Sequence, residues 1–399
     1  MRVLFYRYGS ICEPFILSAF AQLGREMNLE VSELSLEMEN KNCKPSEAAQ
    51  SLSTALFAKQ YDLVFSVNFF PTVSDVCNIF HIPYAGWTVD SPVLELYSRS
   101  AANPCNYIFV FDQCQYEEFS PMYPGHVYYL PLASDPDFMQ SVIHQSQGNQ
   151  KYCHDISFVG SLYTEKCAYD RLENLPAYFT GYLDGLMDAQ QKINGMDFID
   201  GLLTKQVVDA FKAHMPEFYS PKDAPQLTDA AIISQYYIGN KITALERQRL
   251  LKLVSERFPV NMYTGSDTAS IPGIKNMGRA KTLTEMPLIF HSSTINLNIT
   301  SRGIRSGIPL RIWDILSCGG FVLTNYQAEL PDFFSPGESL DVFVNEDDLI
   351  DKCVYYLEHP AQAKEIAENG LTLVSQHHTY RHRIEQMLDI IFLKKKGIP

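Results

Sequence analysis

Three arginines and an aspartate lie close together in INLNITSRGIRSGIPLRIWDILSCGGFVLTN, residues 295–325. Arg302, Arg305 and Arg311 carry planar, permanently charged guanidinium groups that match phosphate oxygens in charge and geometry. Asp314 follows Arg311 by three residues, which places both on one face of a helix. A carboxylate there suits the two hydroxyls of a ribose, and an arginine beside it suits a diphosphate. The plain alternative is a surface ion pair worth a few tenths of a kcal/mol. Position argues for the functional reading. An apolar strand ending near Asn298 precedes the arginines, and a Gly319-Gly320 stop leads into a second apolar strand ending at Thr324 and Asn325. Ser306 and Gly307 stand ahead of a proline at the first helical turn, where backbone N–H groups point outwards. Strand ends, a helix start and cations then converge at the carboxyl edge of a parallel sheet, a favoured place for a phosphate-bearing ligand. Asn298, Arg302, Ser306, Asp314, Gly319, Gly320, Thr324 and Asn325 are its expected contacts, with Arg305 and Arg311 the cations nearest the chemistry.

Other short motifs sit at strand ends. FVGSLY puts Gly160 and Ser161 just past a strand, where backbone can approach a phosphate, although an ordinary βα turn reads the same way. No G-x-G-x-x-G or P-loop spacing follows any strand. KNMGRA offers Gly278 and Arg279 to a nucleobase edge, or else Arg279 is a solvated surface residue. YRYGSICEP is the equivalent turn nearer the amino terminus, and Tyr8, Gly9 and Ser10 are expected to face a ligand, with Asn68 of VFSVNFFP beside them. GWTVDSP ends a strand with Asp90, Ser91 and a proline. A carboxylate there can accept a proton from a hydroxyl or hold a sugar hydroxyl; the alternative is a turn cap. QHHTYRHR clusters histidines, but His377 and His378 are adjacent and cannot share a helical face, so Thr379 capping a helix is the better reading and no metal site is expected.

These motifs need a scaffold of strand ends. The first 135 residues alternate strand and helix: strands at 3–8, 31–36, 62–67, 83–89, 107–112 and 127–133, and helices at 14–27, 46–60 (capped by Ser46) and 72–80. Polar residues 136–152 read as a linker. A strand at 155–163 opens a second unit, interrupted by a mostly helical region at about 164–257. Alternation resumes with strands at 260–265, 295–300 and 321–325, an edge element at 274–279, and helices at 283–292, 309–316, 349–357, 361–375 and 380–395. Short links between alternating elements imply doubly wound parallel sheets. The expected architecture is α/β: two facing Rossmann-like domains, 1–140 and 153–379, the second carrying a helical insertion, with 380–399 crossing back to the first. Clefts between such domains favour ligands.

The chain has 399 residues, enough for two cores. A net charge of −14 disfavours broad nucleic-acid or anionic-membrane binding while permitting a local basic pocket. The 23 Tyr and 24 Phe read first as aromatic packing and second as a groove for a sugar or peptide. Nine cysteines without CxxC pairs, and a start running straight into a strand, lead us to expect a reduced cytoplasmic protein. Cys318 reads as a small buried residue rather than a nucleophile. No apolar run approaches the roughly 20 residues that span a bilayer.

The segment PLRIWDILSCGGFVLTNYQAELPDFFSPGESLDVF, with YYLEHP, AKEIAENG and HHTYRHR after it, resembles the CgeB-like glycosyltransferase group; VFSVNFFP, AGWTVDSP, YIFVFD and YYLPLAS resemble that group's amino-terminal half. The group is similar to retaining GT-B glycosyltransferases of family 4. The resemblance implies a GT-B fold, a nucleotide-sugar donor (UDP-sugar favoured) held by the second domain, and an acceptor held by the first. It also implies no cofactor and no required metal. Asp314 matches the acidic residue that contacts the donor ribose; Ser306 stands where that superfamily carries its other acid, a departure that leaves the donor sugar open. Gly160 and Ser161 match the first turn of the donor domain. Asp90 is then expected to position a hydroxyl acceptor, on a protein, a cell-surface glycan or a small molecule. A nucleotide-sugar epimerase, a phosphorylase and a binding module that closes without turnover are the alternatives.

Overall fold

The computed structural model describes residues 1–146, 150–193, 196–221 and 223–393. The chain divides into two compact units: Met1–Ser134 with Pro221–Leu227 and His377–Pro399, and Asp135–Ser220 with Thr228–Gln376.

The first unit is built on a six-stranded sheet of β1 (Arg2–Tyr6), β2 (Glu30–Leu34), β3 (Leu63–Val67), β4 (Tyr84–Trp87), β5 (Asn106–Val110) and β6 (Val127–Tyr129). Their order is β2-β1-β3-β4-β5-β6, with every pairing parallel. β3 is buried along its whole length, as a strand covered on both faces must be, which explains its unbroken apolar run. Phe5, Phe20 and Phe65 pack edge to face, with centroids 5.0–6.3 Å apart. Ser46 is not a cap: Pro45 begins its helix and Glu47 accepts from the Lys44 N–H at 3.0 Å.

Residues His377–Pro399 complete this unit. The helix Tyr380–Leu393 lies against the helix Glu13–Met27, where Arg381 makes a forked pair with Glu26 at 2.6 and 2.8 Å. Expected helix as far as 395 runs beyond the described residues. Thr379 caps the helix as expected, its Oγ1 accepting from the His382 N–H at 3.4 Å. The histidine cluster is structural. His378 Nδ1 lies 2.7 Å from Arg383, whose buried guanidinium also donates to the Pro131 carbonyl. Burial, then the Arg383 charge, pushes the His378 pKa down to about 4.

The second sheet runs β12-β11-β10-β7-β8-β9, again all parallel, from β7 (His154–Val159), β8 (Val260–Tyr263), β9 (Ile274–Asn276), β10 (Ser293–Asn298), β11 (Val322–Asn325) and β12 (Asp341–Phe343). β12 has three residues, too short for any period to announce it. Ile156, Phe158, Ile295, Leu297 and Leu323 form the centre of the core.

The expected linker at 136–152 is corrected: Pro136–Gln145 is a helix of the second unit. Asp135 caps it by accepting from the Phe138 N–H at 3.0 Å, Pro136 opens it, and Met139 and Ile143 are buried. The middle of that reading, 147–149, lies outside the described residues. The helical insertion is also not one body. It contains the helices Ala177–Gln190 and Lys205–His214 and a π-helical segment, Ile232–Ile238. Gly239–Ser255 then leads directly to β8 and buries Leu250, Leu251 and Val254 in the core, so it is the sheet's own crossover. Pro221–Leu227 belongs to the first unit, where Asp223 pairs with Arg99 at 3.3 Å. Residues 194, 195 and 222 of the expected insertion lie outside the described residues.

Candidate functional site

The carboxyl edge of the second sheet gathers most of the expected donor residues. The helix Leu310–Ser317 follows β10 and runs antiparallel to the strands, so its first turn stands at that edge. Arg311 and Asp314 pair there at 3.5 Å, with the Arg311 side chain 26% exposed and the Asp314 side chain 7%. The Arg311 guanidinium lies over the Phe290 ring, 5.3 Å from its centroid. Burial pushes the Asp314 carboxyl up to about 6, against the opposing pull of Arg311. Burial lowers the Arg311 pKa, and Asp314 offsets part of that.

Arg247, from the helix Gly239–Ser255, was not expected. It donates to the Ile299 carbonyl at 2.6 Å and to the Ser161 carbonyl at 2.6 Å, and its guanidinium lies over the rings of Tyr163 and Phe158. It therefore ties the turn after β7 to the loop after β10. Burial lowers its pKa, and the Arg311 charge adds to that, while Tyr163, Glu246 and Glu165 oppose. In sequence Arg247 belongs to ALERQRLLK, a charge run that reads as a solvated helix face. The one available signal was that Ala244, Leu250 and Leu251 leave few positions on that helix facing water.

Gly160 and Ser161 occupy the turn after β7, but the turn is largely satisfied internally. The Gly160 N–H donates to the Tyr263 carbonyl at 3.1 Å, the Leu162 N–H to Ser266 Oγ at 2.8 Å, and the Tyr163 N–H to Ser161 Oγ at 2.7 Å. Glu165 accepts from both the Ser161 and Ser266 hydroxyls, at 2.6 and 2.9 Å. Tyr163 adopts φ +66°, a costly left-handed backbone for a bulky residue. Lys166, also unexpected, holds its ammonium 5.2 Å from the Tyr163 ring.

Asn298, Thr324 and Asn325 are brought together as buried scaffolding. Asn298 Nδ2 donates to Thr324 Oγ1 at 2.9 Å and to Thr300 Oγ1 at 3.0 Å, and Asn325 Oδ1 accepts from the Thr300 N–H at 2.8 Å. Ser306 donates to Glu329 Oε1 at 2.7 Å, with both residues buried, so a carboxylate reaches the Ser306 position from the loop after β11. Gly278 has φ +77°, and Arg279 is exposed, its guanidinium filling the space that a side chain on Gly265 would need.

Three expectations are corrected. Arg302 does not reach towards a ligand phosphate. It grips the buried Glu246 at 2.5 and 2.8 Å and donates to the Ile193 carbonyl at 2.9 Å, bracing the insertion. Gly319 and Gly320 end the helix Leu310–Ser317 and precede β11, so they lie at the opposite, amino edge of the sheet. Gly319 has φ +65°, and a Cβ on Gly320 would collide with the Phe290 carbonyl, so both serve the fold. In the first unit, the Tyr8 and Gly9 N–H groups do not face a ligand; both donate at 2.9 Å to Glu13 Oε1, a wholly buried carboxylate that Arg7 also meets at 3.2 Å. The Tyr8 ring instead carries Lys41 at 3.9 Å, and Ser10 Oγ contacts Cys12 Sγ at 3.6 Å.

Asn68 and Asp90 do meet. Asn68, at φ +65°, donates to Asp90 Oδ2 at 2.7 Å and accepts from the Val89 N–H at 2.9 Å. Asp90 is exposed, and Ser91 Oγ accepts from Gln115 at 2.7 Å. Cys318 is fully buried, and burial raises its thiol pKa well above the ordinary value, which fits a packing role. Among the described residues no cluster of His, Cys, Asp and Glu is arranged to hold a metal, and no helix is long and apolar enough to cross a membrane.

The sequence model of a family described as "Glycosyl transferase-like" matches residues 245–389. HepE of Anabaena, solved with UDP and glucose, is 10% identical with a TM-score of 0.51, covering 100% of both chains. Sucrose-phosphate synthase of Thermosynechococcus elongatus is 10% identical with a TM-score of 0.54, again over 100% of both chains. A UDP-N-acetylglucosamine 2-epimerase homologue of Listeria monocytogenes is 10% identical with a TM-score of 0.52, covering 100% of this chain and 97% of its own. No curated protein matches the chain by sequence. The two parallel sheets are those of the GT-B fold, and the glycosyl transferase-like match lies within the second of the chain's two units and the start of the closing segment.

Proposed function

We propose that the chain transfers a sugar from a nucleoside diphosphate sugar, with UDP favoured, to a hydroxyl acceptor, with retention and without a required metal. The observation that carries this is Arg311 paired with the buried Asp314 at the carboxyl edge of the second sheet, where Arg247 holds the Ser161 and Ile299 carbonyls. A guanidinium at that edge suits a diphosphate, and the carboxylate beside it suits a ribose. Solved structures of the same fold hold UDP and glucose, which supports a UDP-linked donor. The resemblance to the CgeB-like group and the exposed Asn68–Asp90 pair favour an acceptor hydroxyl on a protein or cell-surface glycan.

In the reaction the bond between the anomeric carbon and the β-phosphate oxygen breaks, and its electron pair goes to that oxygen. Arg311, with Arg305 from the preceding loop, stabilises the growing phosphate charge, which is larger in the transition state than in the ground state. The acceptor hydroxyl attacks the same face of the sugar and passes its proton to the departing phosphate. Asp90 positions the acceptor. Arg247 acts at one remove, by holding the Ser161 and Ile299 carbonyls.

Arg247→Met keeps much of the aliphatic stem but removes the donors. UDP affinity is expected to fall by about ten-fold, because the turn after β7 and the loop after β10 lose the side chain that ties them, as measured by calorimetry. Unchanged affinity would take Arg247 out of the site. The function itself is tested with UDP-, GDP-, dTDP- and CDP-linked sugars in EDTA, reading thermal shift and released nucleotide. A true donor at about 100 times its Kd stabilises the fold by roughly 2.7 kcal/mol. No shift with any donor sinks the reading. An altered sugar without acceptor would point to an epimerase.

A further inference from the structure

At the carboxyl edge of the first sheet, Asn68 is fixed through both its backbone and its side chain. Its N–H donates to the Trp87 carbonyl at 2.7 Å, and its carbonyl accepts from Ser66 Oγ at 2.7 Å. Ser66 is buried and lies 2.7 Å from the Tyr84 hydroxyl, which accepts from the Phe70 N–H at 2.9 Å. The backbone is left-handed, φ +65°, a conformation that asparagine tolerates better than most residues. Asn68 Oδ1 accepts from the Val89 N–H, and Nδ2 donates to Asp90 Oδ2 at 2.7 Å. Joining the two turns in this way uses one Nδ2 hydrogen and one Asp90 oxygen. The second Nδ2 hydrogen and Asp90 Oδ1 have no partner among the described residues.

Asp90 is exposed and Asn68 half-buried, so a ligand can reach both. The pair offers one donor and one acceptor, held next to each other before any ligand arrives. Two hydroxyls on adjacent carbons match it: one donates to Asp90, and its neighbour accepts from Asn68. A serine or threonine of a protein brings a single hydroxyl and leaves half of the pair unmet. Apolar surface stands at the neighbouring strand ends, since β3 pairs with both β1 and β4. Phe70, two residues beyond Asn68, packs against Tyr8 with ring centroids 5.3 Å apart, and Tyr8 is 42% and Ile11 54% exposed. The Lys41 ammonium over the Tyr8 ring adds a further donor. Apolar carbons beside a few placed polar groups suit the C–H face and hydroxyl rim of a sugar ring.

We propose that the Asn68–Asp90 pair recognises two adjacent hydroxyls of a sugar, so that the acceptor is a glycan rather than a protein side chain. The inference rests on reading this edge as the acceptor site and adds the acceptor's chemical class.

The test titrates the full chain, with and without UDP, against the methyl glycosides of glucose, galactose, mannose and N-acetylglucosamine and against a threonine-containing peptide. Kd is read by NMR. At least one glycoside is expected to bind, and the peptide is not. Asp90→Ala and Asn68→Asp are each expected to weaken that glycoside about ten-fold or more, the scale of a hydrogen bond to a charged group. Asn68→Asp keeps an acceptor for the Val89 N–H and loses only the donor; Asp90→Ala alters an exposed site, so its melting temperature holds. One monodeoxy form of the glycoside should cost the wild type a similar factor and cost Asp90→Ala little more. Binding of the peptide alone, binding of no glycoside, or unchanged Kd in both variants overturns the inference. Glycoside binding that the variants lose, in a chain that turns over no nucleotide sugar, upholds the diol pair and sinks the transferase reading.

Discussion

Arg311→Ala is expected to lower kcat/KM for sugar transfer by about 10²–10³, roughly 2.7–4 kcal/mol of transition-state stabilisation, most of it in kcat. The guanidinium stands in the first turn of a helix at the carboxyl edge, where a leaving phosphate would gain charge. Its environment is sparse in compensation. Asp314 is its carboxylate partner at 3.5 Å, and Met286 Sδ and the Phe290 ring are soft neighbours. Arg311→Lys keeps the charge but loses the fork, so an intermediate rate is expected. A role confined to packing predicts a lower melting temperature with normal turnover. Unchanged kcat/KM in a folded Arg311→Ala protein would remove the residue from the mechanism.

Asp314→Asn separates binding from folding more sharply. The carboxyl is pushed up from its ordinary 3.8 to about 6, chiefly by burial. The folded chain therefore holds this proton more tightly than the unfolded chain does. Between about pH 4 and 6 the fold gains stability from this group as pH falls, and above about pH 6 the buried charge costs on the order of 2–3 kcal/mol. The amide introduced by Asp314→Asn carries no such charge, so the variant's melting temperature at pH 7 is expected to equal or exceed that of the wild type. Donor affinity should move the other way, falling about ten-fold or more, because a ribose hydroxyl loses a charged acceptor. Wild-type donor binding should also weaken as pH drops through about 6, a dependence Asp314→Asn abolishes. A lower melting temperature with normal nucleotide binding would show that the carboxylate serves the fold instead.

Much of the fold was legible because its signals are local. Strands buried on both faces read as apolar runs, and LVFSV and INLN need no partner to be recognised. Helices with caps and prolines announce themselves, and the Thr379 cap did so. Pro136–Gln145 carries a cap at Asp135 and a proline at its start, but its polar surface masks the helical period in sequence. β12 was not legible, because three residues carry no period. The Arg311–Asp314 pair followed from helical spacing, whereas the Asn68–Asp90 contact, between two strand ends 22 residues apart, was seen only in the structure.

What the sequence by itself determined is the order of strands and helices and the residue types at the strand ends, and hence a pair of parallel sheets with Arg311 and Asp314 at a strand edge. What only the tertiary structure decided is which charges remain for the ligand. Glu246 captured Arg302, Glu13 captured the Tyr8 and Gly9 amides, and Arg247 came in from the helix Gly239–Ser255. Gly319 and Gly320 went to the opposite edge because a helix antiparallel to its strands ends there. Hydrogen-bond partners 56 or 86 residues apart in sequence leave no periodic trace, since a buried charge is answered by whatever side chain the fold brings within about 3 Å.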